Sequence, residues 1–326
     1  MQRALRTLFA LVFCAASAGI PARTFAQAND PIRIAAEYGL AYAPLYVIAK
    51  KPEFIRKYLP NANVTLVQLA GGAAVREALI SNTVDVGAMA MSPVIQGWDK
   101  GADIKIASGL SFMPFELITY RPDLKSVKDL KPGDKVNVIS IGSPQTLVMK
   151  MAAQKYFGGY DALDDLFVVM PHPDAVAAVL AHRDIVAEFA SPPFIRALMS
   201  QPGMHVMLTN RDFPEANFMY VAEAASGNFV RQRPDAYNAI VRATKDAIDW
   251  INAKPADAAA FLATDQAGKM TAADWLAEIK QPGVKFTAVP TGLHELSIFM
   301  KNIGMTSKAG TYDDLTWPNL HGAGGN

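Results

Sequence analysis

The stretch "LVQLAGGAAVREALISNTVDVGAM", from Leu66 to Met89, joins an apolar run to a helical pattern at two consecutive glycines, Gly71 and Gly72. A second apolar run follows at once. A strand, a helix and a strand in this order form a right-handed βαβ unit, and such units build parallel sheets. The helix start leaves backbone N–H groups that the helix itself cannot use. Glycine allows close approach to these groups, so the junction predicts either an anion-binding turn or a plain strand-to-helix turn.

The alternation of strands and helices extends on both sides of this stretch and then begins again. "IRIAAEYG" (32–39) and "GADIKIASGLS" (101–111) predict further strands, and a second series of the same kind starts near residue 126. From Pro234 onward the pattern is mostly helical. The sequence therefore predicts an α/β fold with two Rossmann-like lobes and a C-terminal helical region.

The chain is expected to cross between the lobes twice, near Ile118–Arg121 and near Asn217–Val221. Residues 29–119 and 219–326 would form one lobe and residues 120–218 the other. Two crossings make a hinge, and ligands of open α/β sheets bind beyond the carboxyl ends of the strands. A ligand cleft between the lobes follows from this arrangement.

The first 28 residues predict an export signal. Arg3 and Arg6 precede the apolar run "TLFALVFCAASAGI", and a small-residue exit stands at Ala26–Ala28. The run is short for a membrane span, so cleavage near Ala26–Ala28 and a periplasmic location are expected. Cleavage would remove Cys14, which is the only cysteine, and would leave 28 basic and 30 acidic residues. The mature chain could then form no disulfide and use no thiol chemistry.

Composition narrows the class of partner. The chain is 51% hydrophobic and 19% charged, with a formal net charge of +1 and no block rich in Lys and Arg. Nucleic-acid binding usually leaves a basic patch, so no nucleic-acid partner is expected. We expect a monomer without a cofactor.

Hydroxyl, glycine and proline residues mark the other strand-to-helix junctions. "SIGSPQT" carries Ser143 and Thr146 at a helix start, and "MSP" and "SPPF" follow two further strands. Each is explained equally by an N-cap. Together, at equivalent points of two lobes, they indicate donor groups facing one cleft.

Catalytic and metal-binding patterns are poorly represented. The five histidines show no H-x-x-x-H or H-E-x-x-H spacing, so surface or core roles are expected for them. No G-x-S-x-G elbow occurs. The sequence predicts no catalytic residues and no metal site.

Several segments resemble the periplasmic substrate-binding proteins of ABC importers, in the nitrate, sulfonate, taurine and thiamine-precursor branch. They are "GLAYAPLYVIAKK", "AGGAAVREALISNTVDVGAMAMSP", "KGADIKIASG" and "SVKDLKPGDKVNVISIGSPQT", with "VRQRPDAYNAIVRATKDAIDWINAKPADAAAFLA" in the helical region. The resemblance implies the two-lobed, type II-like fold of periplasmic binding proteins, closure on a small ligand and delivery to a membrane permease. One departure is "AVLAHRDIVAEFA", where the family often has A-L-x-x-G-x-V-D-A.

The resemblance also implies a set of ligand-binding residues. They are Gly39, Ala41, Tyr42, Gly71, Gly72, Ala73, Ser92, Ser111, Phe112, Ser143, Gln145, Thr146, Pro193 and Asn217. Neutral donors dominate, which favours a small organic anion such as a sulfonate, taurine or a carboxylate. Whether Glu37, Arg76 or Glu188 faces the cleft stays open.

Three alternatives remain at this level. The ligand could be nitrate or a pyrimidine precursor of thiamine. The chain could be an enzyme on the same fold, although the synthases of this kind carry a cysteine-rich motif. It could be an effector domain of a transcription regulator, although an N-terminal helix-turn-helix would then be expected in place of an export signal.

Overall fold

The computed structural model describes residues 30–265 and 270–323. The predicted export signal and Cys14 lie outside the described residues. Within them, the strands are β1 (Ile32–Ala36), β2 (Val64–Gln68), β3 (Val86–Ala90), β4 (Ile104–Phe112), β5 (Glu116–Thr119), β6 (Val136–Asn137), β7 (Phe167–Val168), β8 (Ala187–Ala190), β9 (His205–Thr209), β10 (Val221–Ser226) and β11 (Lys285–Phe286).

The α-helices of the described chain alternate with these strands and then dominate its end. They are α1 (Ala43–Lys50), α2 (Glu53–Arg56), α3 (Gly72–Ile80), α4 (Met91–Asp99), α5 (Pro144–Phe157), α6 (His172–Leu180), α7 (Phe194–Met199), α8 (Gly227–Gln232), α9 (Pro234–Ala253), α10 (Pro255–Asp265), α11 (Ala272–Lys280), α12 (Leu293–Asn302) and α13 (Tyr312–Leu315).

The strands form two sheets with the same internal order. The first sheet, called sheet A, runs β11-β4-β10-β3-β1-β2, and the second, called sheet B, runs β7-β6-β8-β5-β9. Apart from β11, each position in sheet A has a counterpart in sheet B with the same parallel or antiparallel pairing. The two α/β units of the sequence are therefore two copies of one topology.

The expectation of parallel sheets is wrong in one respect, because both sheets are mixed. β10 lies antiparallel between β3 and β4, and β5 lies antiparallel between β8 and β9. Each of these strands is the first that the chain forms after it crosses from one sheet to the other. β5 already belongs to sheet B, so the first crossing occupies residues 113–115, ahead of the expected Ile118–Arg121.

Burial patterns explain why these segments form these elements. All five residues of β3 are buried, which is typical of a strand covered on both faces, whereas the edge strand β2 alternates between half-buried and exposed residues. α9 buries residues at helical spacing, including Ile240, Ala243, Ala247 and Ile251. That buried face packs against α1, α2 and β4.

Local signals fix the helix starts that border the space between the sheets. Ser143 is the N-cap of α5, and its hydroxyl accepts a hydrogen bond of 3.2 Å from the backbone N–H of Thr146. Pro144 occupies the first helical position, where the missing N–H is not needed. α3 begins at Gly72 without a side-chain cap.

Candidate functional site

The loops at the carboxyl ends of the two sets of strands face each other and touch. The backbone N–H of Leu40, after β1, donates a hydrogen bond of 3.0 Å to the carbonyl oxygen of Pro192, after β8. A Cβ atom added to Gly71, after β2, would lie 3.4 Å from the carbonyl oxygen of Ile139, after β6. The space between the sheets is therefore a cleft whose walls are in contact.

Two small adjoining cavities lie in this cleft. They share Glu37, Tyr42, Ile139 and Tyr220, and each has a volume of about 10 Å³. Such a volume holds about one water molecule, so a solute could enter only if the walls moved apart. The remaining lining residues are Tyr38, Ala70, Gly72, Ala90, Pro93, Ser140, Ser143, Pro144, Gln145 and His172.

Glu37 is the carboxyl group of the cleft. Its side chain is buried, and burial raises its pKa to about 8, against an opposing effect from the hydrogen bond with the Tyr42 side chain. The backbone carbonyl of Glu37 accepts a hydrogen bond of 2.7 Å from the Tyr46 hydroxyl, which fixes the chain at this point. In the closed cleft near neutral pH this carboxyl is therefore mostly uncharged.

Tyrosine side chains surround the Glu37 carboxyl. The Tyr220 hydroxyl accepts a hydrogen bond of 2.9 Å from Nε2 of Gln145, which joins the segment before β10 to helix α5. Burial raises the pKa of Tyr42 and of Tyr220 far above the ordinary value, with the nearby Glu37 adding to both shifts. Both phenols therefore stay neutral hydrogen-bonding groups.

A buried chain of polar groups forms the opposite wall. Nδ1 of His172 lies 2.5 Å from Oε1 of Glu188, and Nδ2 of Asn137 donates a hydrogen bond of 2.6 Å to the other oxygen of that carboxyl. Nε2 of His172 lies 3.2 Å from the Ser191 hydroxyl. The ring of Phe194 stacks on the imidazole at 4.8 Å. These contacts hold the imidazole of His172, which lines one of the cavities, in one orientation.

The order acid, imidazole and hydroxyl in this chain is that of a nucleophilic triad. Acyl transfer also needs free N–H donors beside the hydroxyl for the developing oxyanion. Here the backbone N–H groups of Phe194 and Ile195 already bond to the carbonyl oxygen of Ser191, at 2.7 Å and 3.2 Å. The described geometry therefore favours a role for the chain in holding His172 and Ser191 in place.

Gly72 makes the start of α3 compatible with its surroundings. A Cβ atom at this position would lie 2.8 Å from Cγ of Pro93 and 3.4 Å from Oε1 of Glu37. A side chain would therefore overlap the proline and crowd the carboxyl. The Glu37 carboxyl therefore lies beside the first residue of α3.

The structure brings some of the sequence-predicted residues together at the cavities. Tyr42, Gly72, Ser143 and Gln145 line one of them. The amide oxygen of Gln145 has no hydrogen-bond partner within the described residues. Four of the predicted residues from both lobes thus share one small space.

Other predicted residues lie beside the cavities without lining them. Gly71 and Gly39 contact the opposite wall, and Ala73 follows in α3. The hydroxyl of Ser111 donates a hydrogen bond of 3.1 Å to the carbonyl of Ala41. The remaining members of this group are Ser92, Thr146 and Pro193, which lie at the starts of helices α4, α5 and α7.

Phe112 and Asn217 lie elsewhere. They line a separate cavity of about 370 Å³ together with Phe218 and Thr291. A further cavity of about 480 Å³ lies along β2. Neither cavity includes Glu37 or any residue of the His172 chain.

Glu37, His172 and Tyr220 are the main cleft residues that the sequence did not identify as ligand-binding. His172 begins α6 after β7, the counterpart in sheet B of the junction that Gly71 and Gly72 occupy in sheet A. The expected surface or core role agrees with the burial of His172, but its position beside the cleft was not predicted. The equivalence of the two strand-to-helix junctions was the signal that could have found it.

No Lys or Arg side chain lines either cleft cavity. Arg76 instead lies against α4, where its guanidinium donates a hydrogen bond of 3.2 Å to Oε1 of Gln96 and pairs with Glu77 at 3.1 Å. Glu188 contacts the cleft only through His172. Of the three charged residues left open by the sequence, Glu37 alone lines the cavities.

The described residues contain no cluster of three or more His, Cys, Asp or Glu side chains that could hold a metal ion. None of their helices combines the length and apolar character needed to cross a membrane.

Comparison with known proteins places this arrangement in a wider group. The model of the NMT1-like family matches residues 29–264. No curated protein sequence matches the chain. Solved structures, in contrast, match it over most of its length.

Three of these structures illustrate the likeness. The periplasmic aliphatic sulphonate binding protein SsuA from Escherichia coli is 19% identical with a TM-score of 0.65, covering 90% of this chain and 99% of that one. The alkanesulfonate-binding protein SsuA from Xanthomonas axonopodis pv. citri, bound to MOPS, is 16% identical with a TM-score of 0.69, covering 88% and 98%. The periplasmic nitrate-binding protein NrtA from Synechocystis PCC 6803 is 16% identical with a TM-score of 0.70, covering 87% and 83%.

At these identities the likeness shows the fold. The two-lobed α/β fold of periplasmic binding proteins, with its C-terminal helical region, is confirmed.

Proposed function

Because the chain belongs to the NMT1-like family, we propose that it is the solute-binding component of an ABC importer. It captures a small organic solute between two lobes and delivers it to a membrane permease. The observation that carries the proposal is the closed cleft between two topologically equivalent sheets, lined from both sides by buried polar side chains.

The hinge supports this function. The chain passes between the sheets twice, and contacts such as the one between Leu40 and Pro192 hold the walls together without a covalent link. We propose two lobes, residues 29–119 with 219–326 and residues 120–218, with the boundary corrected so that β5 (Glu116–Thr119) belongs to the second lobe with sheet B. Rotation of one lobe on the other would open the cleft to solvent.

Export and assembly belong to the same proposal. Cleavage near Ala26–Ala28 would release a monomer into the periplasm, where it would meet the permease. N-terminal sequencing of a periplasmic extract tests this step. A chain that keeps its first residues and stays in the membrane fraction would contradict it.

The nature of the solute is the finer part of the proposal. The sequence favoured an organic anion, such as a sulfonate, taurine or a carboxylate, with nitrate and pyrimidine precursors as alternatives. The sulfonate-binding and nitrate-binding neighbours agree with that choice by analogy only. Once ionised, the Glu37 carboxyl beside α3 would oppose an anion, so all these classes belong in the test.

A thermal-shift screen is the direct experiment. A solute that binds only the folded chain raises the melting temperature, by an amount that grows with its concentration. Small-angle scattering with the best compound should then show a smaller radius of gyration than after extensive dialysis. If no organic anion, cation or neutral compound shifts the melting temperature, and native mass spectrometry finds no carried solute, solute binding is wrong.

A second candidate is hydrolysis, and one observation favours it. Glu188, His172 and Ser191 stand in the order of a nucleophilic triad. The bonded N–H groups beside Ser191 weigh against this candidate. It therefore ranks behind solute binding.

A further inference from the structure

Among the described residues, the two cleft cavities are lined by one carboxyl group, that of Glu37, and by no Lys or Arg side chain. Oε1 of Glu37 lies beside the first residue of α3, 3.4 Å from where a Cβ of Gly72 would be. That helix end is the place where an anionic solute would have been expected to sit. An anion there would bind only while the Glu37 carboxyl stays protonated, because the ionised carboxylate would repel it.

The opposite wall adds no positive charge. His172 is matched by Glu188, which is fully buried and bonded to both the imidazole and Asn137. If the imidazole is neutral the pair carries at most the charge of the acid, and if it is protonated the pair is neutral. In neither state does this wall attract an anion by net charge.

The rest of the lining suits a cation. Tyr38, Tyr42 and Tyr220 contribute three phenol rings to the cavity that contains Glu37. Aromatic faces attract ammonium and guanidinium groups through the ring quadrupole. The amide oxygen of Gln145, which lines the adjoining cavity, lacks a partner within the described residues. The free amide oxygen can accept a hydrogen bond from a ligand N–H.

We infer that the cleft binds a small organic cation with an ammonium, amidinium or guanidinium group. The N–H groups of this cation donate hydrogen bonds to the Glu37 carboxylate, and the tyrosine rings surround it. The inference rests on the proposed solute-binding function and names its solute class. The cation supplies the counter-charge that the protein lacks at this point. Closure around it then buries an ion pair in place of an isolated acid.

Protonation gives the inference a specific signature. Burial raises the pKa of Glu37 to about 8, and the groups that face it are Tyr42, Tyr46, Tyr220 and His172. A cation requires the ionised form of Glu37, whereas an anion is favoured by the protonated form. Affinity for a cation should therefore rise with pH, by up to tenfold per pH unit while free Glu37 is mostly protonated, and affinity for an anion should fall.

The experiment compares probes that differ mainly in head group. Guanidinium and benzamidine are the cations, acetate and benzoate the matching anions, and benzamide is the neutral control. Calorimetric titration of the full mature chain at several values between pH 5 and pH 8.5 gives each affinity. The expected result is binding of at least one cation, stronger at higher pH, with weaker or no binding of the anions.

Two variants locate the effect. Glu37→Gln keeps the shape of the side chain and removes its charge, so cation affinity should fall by ten- to a hundredfold and lose its rise with pH. Glu77→Gln removes an exposed acid on α3 and should leave both unchanged. Melting curves on both variants verify that they are folded.

The outcomes separate this inference from the function on which it rests. Anions that bind while every cation fails would overturn the inference and leave solute binding standing. Cation binding that is unchanged in Glu37→Gln would also overturn it. Failure of all probes, and of the wider thermal-shift screen, would remove the proposed function as well.

Discussion

The backbone N–H of Leu40 and the carbonyl oxygen of Pro192 form a hydrogen bond of 3.0 Å across the cleft. It links the loop after β1 in one sheet to the loop after β8 in the other. The preceding residue, Gly39, has a φ of 120°, a conformation that residues with a side chain rarely adopt. The geometry of this hydrogen bond across the cleft therefore depends on the glycine at position 39.

Gly39→Ala is expected to weaken the closed state. The added Cβ would lie 3.1 Å from the carbonyl oxygen of Pro192 and would strain the backbone. Loss of one such hydrogen bond is worth about 1 kcal/mol, or roughly fivefold in ligand affinity. Calorimetric titration with the best solute measures the affinity, and scattering in its presence should show a larger radius than for the wild type. Gly101→Ala, at a positive φ with no atom within 4 Å of its added Cβ, is the control. Equal affinities and equal radii for the two variants would show that the contact between Leu40 and Pro192 does not stabilise the closed state.

The order of elements could be predicted from the sequence because its signals are local. The glycines at the start of α3, the Ser143 cap of α5 and the apolar runs of the parallel strands each act within a few residues. The direction of β5 and β10 could not be predicted in this way. Their pairing depends on strands up to about 140 residues distant, and their short sequences, "ELIT" and "VAEAAS", carry no sign of orientation.

The residues of the site likewise divide into those that a local sequence signal marks and those that only three-dimensional contacts bring to the cleft. Tyr42, Gly72, Ser143 and Gln145 stand at strand-to-helix junctions, so a local pattern pointed to them. Glu37 and Tyr220 reach the cleft only because the sheets face each other, and neither has a distinctive neighbour in sequence. The acid that most affects the choice of ligand was therefore identified by three-dimensional contact alone.

Substitutions of Gly71 and Gly72, at the start of α3, should distinguish a loss of packing within the fold from a loss of cleft closure. Gly72→Val is expected to destabilise the fold as well as the ligand complex, since its Cβ would overlap Pro93 at 2.8 Å. Overpacking of this kind typically lowers the free energy of unfolding by about 1–3 kcal/mol. Gly71→Ala instead places its Cβ 3.4 Å from the Ile139 carbonyl of the opposite wall and should reduce affinity with little loss of stability.

Melting curves and calorimetric titration of both glycine variants measure the two effects. Gly159→Ala is the control, because nothing lies within 4 Å of its added Cβ. A Gly71→Ala chain with the affinity of the control would show that this turn does not take part in closure.

Tyr220→Phe should lower the free energy of unfolding by more than Tyr312→Phe, which also removes a buried tyrosine hydroxyl. The Tyr220 hydroxyl accepts the hydrogen bond from Gln145, so its removal leaves that buried amide without a partner. The expected loss is about 1–2 kcal/mol in the free energy of unfolding. The Tyr312 hydroxyl is buried without a partner within the described residues, so Tyr312→Phe should be neutral or slightly stabilising. Urea titration of the two variants measures the free energy of unfolding. Equal losses would show that the hydrogen bond between Gln145 and Tyr220 does not stabilise the fold.

The Ser191 hydroxyl is expected to have no hydrolytic activity. Its imidazole partner is in place, but the neighbouring N–H groups that would stabilise an oxyanion are bonded to the Ser191 carbonyl. Turnover of p-nitrophenyl acetate by the wild type should therefore equal that of Ser191→Ala, and a fluorophosphonate should label neither. Turnover or labelling that disappears in Ser191→Ala would favour the enzyme candidate over simple solute binding.

Glu223 should make the fold less stable as pH rises, and its replacement should remove that effect. Its side chain is fully buried in β10, where one oxygen accepts a hydrogen bond of 2.5 Å from Thr244 and the other has no partner within the described residues. Burial raises the pKa of this carboxyl from 4.5 to about 7, with the Thr244 bond opposing the shift. Between these values the folded chain binds more protons than the unfolded chain, so stability falls as pH increases, by up to about 3 kcal/mol.

Urea titrations of Glu223→Gln from pH 4 to pH 8.5 should show the variant gaining stability relative to the wild type across this window, whereas the exposed Glu77→Gln control should not. Because Glu37 shifts in the same direction in both chains, the difference between the curves isolates Glu223. Parallel curves for wild type and Glu223→Gln would mean that this carboxyl does not titrate inside the fold.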